Sequence, residues 1–295
     1  MNGVAELGPT DAPAPWAFRW RVLGELTALW LVTLLAIRLV TVVQTFIPPA
    51  IGVAGLHLRD VVLAAVPFLF IYVPVYLCQW RGVDSYAYRI AIPAFDDRAA
   101  WWAGARLCLA VVAVAVVPYL VGYHLYQNAL AALLELSGSV ADVDDVRRLA
   151  AHLVSLKWLG ADPWATLTRT LAPTLIVPPD PLLLVLYHLF YVAIPEEFFY
   201  RGYVQTRLNE VFPRRWLIFG AHVGPGLVIA SLFFAFGHSL VTLRWWHFAT
   251  FFPGLVFGWM RERSGGPLAG ALFHAFCNIS VTWLNAAYLG RALSE

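Results

Sequence analysis

Charge is scarce in this chain. Asp, Glu, Lys and Arg make up 13% of its 295 residues, against about 25% in a soluble globular protein. With 60% hydrophobic residues and a mean hydropathy of +0.69, that scarcity excludes a soluble domain carrying a single anchor and points to a polytopic membrane protein. Lysine is all but missing: Lys157 is the only one, and every other basic residue is Arg. No basic cluster interleaved with aromatics is present, which excludes the electrostatic footprint of a nucleic-acid binder. Cysteine is sparse as well. Cys78, Cys108 and Cys277 each lie in an apolar segment without CxxC spacing, so neither a disulfide framework nor a thiolate metal site is indicated. No Gly-x-Ser-x-Gly surrounds Ser231, Ser239 or Ser280, so a serine nucleophile elbow is not expected. The first residues lack the basic start and short apolar core of a secretory signal.

What the chain has in abundance is long apolar runs. A membrane-spanning helix needs about 20 apolar residues. Runs of this kind begin at Val22–Ile47, Asp60–Trp80 and Ala99–Tyr126, and resume at Leu182 to about Tyr200, Gly226–Leu243, Trp245–Met260 and Pro267–Leu289. The expected fold class is therefore all-α, a polytopic transmembrane helical bundle of about seven to eight spans with a catalytic cavity between the later helices. An eighth span would come from Trp216–Val223 or from within the loop. The expected organisation is a cytoplasmic tail over residues 1–21, disordered at its start, three transmembrane helices over 22–126, a long polar extracytoplasmic segment over 127–181, and a catalytic core over 182–295. Gly224-Pro225-Gly226 should break any helix, leaving Tyr203–Val223 interfacial. Lys and Arg favour the cytoplasmic side of short loops. That bias places Arg19, Arg21, Arg81, Arg214, Arg215 and Arg263 inside, with the N-terminus cytoplasmic. The near-exclusive use of Arg correlates with GC-rich bacterial genomes, so an inner-membrane location in a bacterium is expected.

Against this apolar background a few ionisable groups stand out, and such groups at membrane depth are expensive and functional by default. Glu196 and Glu197 lie side by side in Pro195-Glu196-Glu197-Phe198-Phe199-Tyr200-Arg201, and His238 and His274 sit inside later apolar runs. Neighbours on a helix point about 100° apart, so the two carboxylates face different ways. Arg201 lies four residues beyond Glu197, a spacing that favours a Glu197–Arg201 pair and leaves Glu196 freer. A carboxyl held away from water is suited to general-base work. His274 and Asn278 share a helix face at i, i+4, where two donors aim at one developing oxyanion. The same Glu, His, His and Asn set leaves a metal such as zinc open, although no His-Glu-x-x-His is present and Asn is an uncommon zinc ligand. Helix depth, at about 1.5 Å per residue, allows all these groups to converge in the inner, cytoplasmic half of the membrane.

Glu196-Glu197-x-x-x-Arg201, then Phe234-x-x-x-His238, then His274-x-x-x-Asn278 resemble, in order, the three motifs of the CPBP family. These are CAAX prenyl proteases and bacteriocin-processing enzymes, also called intramembrane glutamic endopeptidases, with myxosortase-like members in bacteria. The resemblance covers about Leu182–Leu289, and Arg263-Ser264-Gly265-Gly266-Pro267-Leu268 also looks like the family's approach to its last motif. It implies an all-helical membrane fold with a conical cavity opening toward the cytoplasmic side. It implies peptide-bond hydrolysis by a glutamate-activated water, without a metal cofactor. Glu196 with His238 would activate the water, His274 and Asn278 would stabilise the oxyanion, and Glu197 and Arg201 would position the first pair. The substrate would be a membrane-associated protein or peptide, with C-terminal sorting tails or lipid-anchored tails as the classes to consider. The long stretch Gln127–Pro181 and the extra His222 depart from a minimal member.

Two other readings compete. One is a non-catalytic immunity or scaffold protein that keeps the fold. The other is a transporter using the buried acids as proton carriers, which the absence of an inverted repeat disfavours.

Overall fold

The computed structural model describes residues 15–48, 51–53, 56–84, 90–94, 96–137 and 180–289. The expected disordered start of the chain and most of the expected extracytoplasmic segment, residues 138–179, lie outside the described residues. The chain divides into two compact units, Met1–Cys108 with Leu182–Asn278 and Leu109–Pro181 with Ile279–Glu295. The first holds every candidate site residue. Within the second, the Tyr123 hydroxyl donates to Asn285 and packs near Tyr119.

Helix α1, Trp16–Val43, buries Val22, Leu26, Trp30, Leu34 and Ile37, a stripe at helical spacing. Its opposite side carries Leu31, Val32, Leu35 and Leu39, all exposed. A helix that is apolar on both its packed and its open faces belongs in lipid. At about 1.5 Å per residue, 28 residues reach about 42 Å, enough to cross a hydrocarbon core about 30 Å thick. A short hairpin, β1 (Gly52–Val53) with β2 (Leu56–His57), leads into α2 (Leu58–Leu63) and α3 (Ala65–Trp80). Helix α4 is Arg98–Ser137. Helix α5 runs Pro181–Val211. It is followed by the hairpin β3 (Trp216–Ile218) and β4 (Ala221–Val223), then by α6 (Pro225–Thr242), a 3-10 turn (Trp245–Thr250), α7 (Phe251–Ser264) and α8 (Leu268–Leu289).

The membrane architecture is all-α, and the chain is an integral membrane protein. Among the described residues five helices are long and apolar enough to cross a bilayer: Trp16–Phe46, Leu58–Trp80, Arg98–Leu125, Pro181–Val211 and Pro225–Thr242. That is fewer than the seven to eight expected. Helix α7 is only 14 residues long and ends in Arg261, Glu262 and Arg263. Helix α8 has the length, but His274, Asn278 and Asn285 dilute its apolarity. The proposed eighth span at Trp216–Val223 is instead the β3–β4 hairpin. Phe219 and Gly220 turn it, both at positive φ, as a two-residue hairpin turn of the I′ kind requires.

The fourth span also departs from expectation. It passes Tyr200 without a break, and Tyr203, Leu208 and Val211 are buried rather than interfacial. Three polar residues one turn apart each donate a hydrogen bond to α7. Arg201 donates to the Gly254 carbonyl, Gln205 to that of Gly258, and Asn209 to the Glu262 carboxylate. The offset of 53 is constant, so the two helices run in parallel. Their close approach needs small residues: a Cβ on Gly258 would sit 2.8 Å from the Gln205 side-chain oxygen.

Inter-helix bonds fix the other directions. Trp30 donates to the Phe233 carbonyl and Arg38 to that of Val241, so α1 and α6 run the same way. Arg81, at the end of α3, and Arg207, late in α5, both pair with Glu25 near the start of α1. Helices α3 and α5 therefore run against α1.

Candidate active site

Helix α5 is irregular where the glutamates sit. The four α-helical residues Ile194–Glu197 lie between two π-helical stretches, Tyr187–Ala193 and Phe198–Val204. Such wide turns are rare and gather at functional sites.

Glu196 turns toward α6. Its Oε2 lies 3.7 Å from His238 Nε2, beyond direct hydrogen-bond length but within reach of one bridging water. That oxygen is buried and has no hydrogen-bond partner among the described residues, a costly state for a carboxylate. His238 is held from behind: its Nδ1 lies 3.0 Å from the Phe234 carbonyl. A carbonyl only accepts, so Nδ1 carries the hydrogen and Nε2 presents a lone pair to Glu196 in the neutral ring. The pair lines a cavity of about 190 Å³ together with Tyr200, Leu34, Ile37 and Phe70. Val66, Gly237, Val241 and Thr242 complete its wall. The last two are the final residues of α6, so the cavity extends toward that end of the bundle and away from Arg81 and Arg207.

Glu197 turns the other way, and its side chain is fully buried. Its Oε1 accepts from Arg201 at 3.1 Å and from His274 Nδ1 at 3.1 Å. Arg201, also fully buried, packs its guanidinium 4.2 Å from the Phe234 ring centroid and 5.2 Å from that of Phe257, a cation–π arrangement. Phe257 stacks on His274 at 4.8 Å and 16°. A Cβ on Gly254 would meet Arg201 at 3.1 Å, and one on Gly270 would meet Glu197 Oε2 at 3.3 Å. Both glycines thus make room for the ion pair.

The structure therefore brings Glu196 and His238 together at a cavity and gathers Glu197, Arg201 and His274 behind it. Phe234 touches both groups, with its ring 4.4 Å from that of His238 and 5.7 Å from that of His274. The i+4 partnership of Glu197 and Arg201 read from the sequence is present. The partner that Glu197 holds in place is His274, not the Glu196–His238 pair. Asn278, half-buried, lies one turn beyond His274 on α8, and neither residue is part of the wall of the Glu196 cavity. Among the described residues no three His, Cys, Asp or Glu side chains converge to hold a metal ion, and no step is derived through one.

Sequence reasoning missed Tyr200, Gly237, Gly254 and Phe257. Tyr200 lines the cavity, and a Cβ on Gly237 would stand 2.7 Å from its hydroxyl. The spacing Gly254-x-x-x-Gly258 is a close-packing signal for membrane helices and would have revealed α7 as the partner of α5. His222, flagged as an extra residue, stands exposed on β4, outside both groups.

No curated protein and no solved structure matches the chain. The family model described as type II CAAX prenyl endopeptidase Rce1-like matches residues 178–280, about a third of the chain, and spans both glutamates, Arg201, both histidines and Asn278. Over residues 178–280 the chain thus carries a domain of the type II CAAX prenyl endopeptidase Rce1-like family, a family of proteases.

Proposed function

We propose that this integral membrane protein hydrolyses a peptide bond in a membrane-associated protein, with Glu196 as the base that activates water. One observation carries the reading. A buried carboxylate oxygen without a hydrogen-bond partner lies 3.7 Å from a histidine nitrogen lone pair on the wall of a cavity, where one water on the cavity side can hydrogen-bond both.

In this scheme the water donates one hydrogen to Glu196 and the other to His238 Nε2. Its oxygen attacks the scissile carbonyl carbon as Glu196 takes the proton. Glu196 then returns that proton to the departing amine as the C–N bond breaks. His274 and Asn278 supply the donors for the oxyanion. Glu197 and Arg201 are positioning residues in this account. The reaction needs no metal.

The charge distribution supports an N-terminus-inside orientation, the near-exclusive use of Arg goes with a bacterial inner membrane, and trimming of C-terminal sorting or lipid-anchored tails is the proposed role. The test is a proteomic comparison of membranes from cells making wild type or Glu196→Gln at equal levels. One set of uncleaved precursors should accumulate with the variant. Identical proteomes with a folded variant would remove the hydrolytic reading and favour a scaffold.

A further inference from the structure

We propose that the β3–β4 hairpin is a binding site for anionic phospholipid headgroups, with Arg214 and Arg263 holding the phosphate and the exposed apolar strand seated against the acyl chains. The proposal stands apart from the protease reading.

The hairpin joins two spanning helices. Helix α5 closes at Val211 and α6 opens at Pro225, so residues 212–224 are tied to the bilayer surface at both ends. They stand at the charged end of the bundle, where Arg81 and Arg207 meet Glu25. The two strands face different surroundings. On β4, Ala221 and Val223 turn inward and pack with Leu227 against Leu255 and Trp259. On β3, Trp216, Leu217 and Ile218 are all exposed, and Phe219 at the turn is 88% exposed. An apolar edge strand open to water is a liability. At the rim of a bilayer the same strand is an anchor, and Trp is the residue that settles at headgroup level.

The cations beside the strand are free to take an anion. Near the hairpin, the acids on the last turns of α5 and α7 are already neutralised: Glu210 pairs with Arg207, and Glu262 with Arg261. Glu262 also accepts from Gln205 and Asn209. Arg215 donates to the carbonyls of Asn209, Phe212 and Arg214. Arg214 and Arg263 are both exposed, and among the described residues no carboxylate pairs with either. Arg214 lies at the base of β3, its guanidinium 5.1 Å from the Trp216 ring. Arg263 lies at the turn, where a Cβ on Gly220 would stand 3.1 Å from its Nε. The apolar strand is thus bracketed by two guanidinium groups, whose planar forks suit a phosphate. A free phosphate would gain nothing from Leu217 and Phe219, and that commits the site to a lipid.

The hairpin is fastened to α7. Trp259 Nε1 donates to the Ile218 carbonyl at 2.9 Å. The same helix supplies the Gly254 carbonyl to Arg201 and stacks Phe257 on His274. A headgroup held at the hairpin therefore steadies the helix that packs against the buried ion pair.

The test uses the full-length protein in nanodiscs of phosphatidylcholine, alone or mixed with phosphatidylglycerol. The readouts are phospholipid retained in native mass spectrometry and the unfolding midpoint. Wild type should retain phosphatidylglycerol and unfold at a higher temperature in the mixed discs. An arginine near an anionic surface is worth about fivefold in affinity. Arg214→Gln with Arg263→Gln should therefore weaken retention about 25-fold and abolish the gain in midpoint, while matching wild type in phosphatidylcholine. Leu217→Ser with Phe219→Ser keeps both arginines and should also weaken retention, which covers the case of an arginine variant that does not fold. Retention by these variants equal to wild type would overturn the proposal. So would an equal gain in midpoint from inorganic phosphate added to phosphatidylcholine discs, because the ligand would then be a free anion.

Discussion

Glu196 and Glu197 are neighbours with the same side chain, and they do different work. Each keeps one buried oxygen without a partner, but Glu196 borders a cavity and lies 3.7 Å from His238 Nε2. Glu197, one residue on, has no exposure at all and spends its Oε1 on Arg201 and His274. Nothing in the two side chains decides this. Their neighbouring places on α5, about 100° apart, do, together with α6, which offers His238 on one side, and α8, which offers His274 on the other. A carboxylate whose Oε1 is held by a buried arginine and a histidine, even with its Oε2 left unpartnered, holds architecture. A carboxylate left short of partners at a cavity is available to react.

The comparison can be broken most severely at the buried group. Removing one partner of a buried ion pair typically costs about 3–5 kcal/mol. Arg201→Ala should therefore lose about that much stability, read as a collapse of the unfolding midpoint in detergent. Arg201→Lys should recover little, since a single ammonium cannot serve both Glu197 and the Gly254 carbonyl with the planar fork of Arg. At the cavity the effect should move from stability to rate. His238→Ala should lower cleavage by about 10²-fold, within the range of a lost acid–base partner, with the midpoint nearly unchanged. Gly237→Ala sharpens the contrast further. Its methyl would crowd the Tyr200 hydroxyl, and overpacking of this sort costs about 1–3 kcal/mol; cleavage should fall more than stability, because Tyr200 is part of the cavity wall. Smallest of all, Tyr203→Phe removes a hydroxyl that bonds Glu25 and Arg81 at the charged end. It should cost about 1 kcal/mol and leave the cleavage rate per folded molecule unchanged.

The site was legible to the extent that it is local. The i+4 spacing of Glu197 and Arg201, and the separation of two adjacent carboxylates on a helix, follow from helix geometry alone. The first three apolar runs announced their helices because only scattered polar residues such as Arg38 and Arg106 interrupt them. The continuation of α5 was illegible for a physical reason. Arg201, Gln205 and Asn209 read as an interfacial stretch until the Gly254 and Gly258 carbonyls and Glu262 are seen to accept from them. The contact of His274 with Glu197, 77 residues apart in the chain, leaves no trace in local pattern. The β3–β4 hairpin was hidden by its apolar composition, although Phe219-Gly220 is the kind of dipeptide on which a tight turn closes.

The central claim is that one glutamate reacts and its neighbour supports. The most direct measurement sets Glu196→Gln beside Glu197→Gln in the same purified, lipid-reconstituted protein, recording cleavage of a membrane-tethered peptide and the unfolding midpoint for each. The account predicts a folded, inactive Glu196→Gln with wild-type stability and a Glu197→Gln that loses stability because Arg201 is left buried and unpaired. Cleavage at the wild-type rate by Glu196→Gln would contradict it.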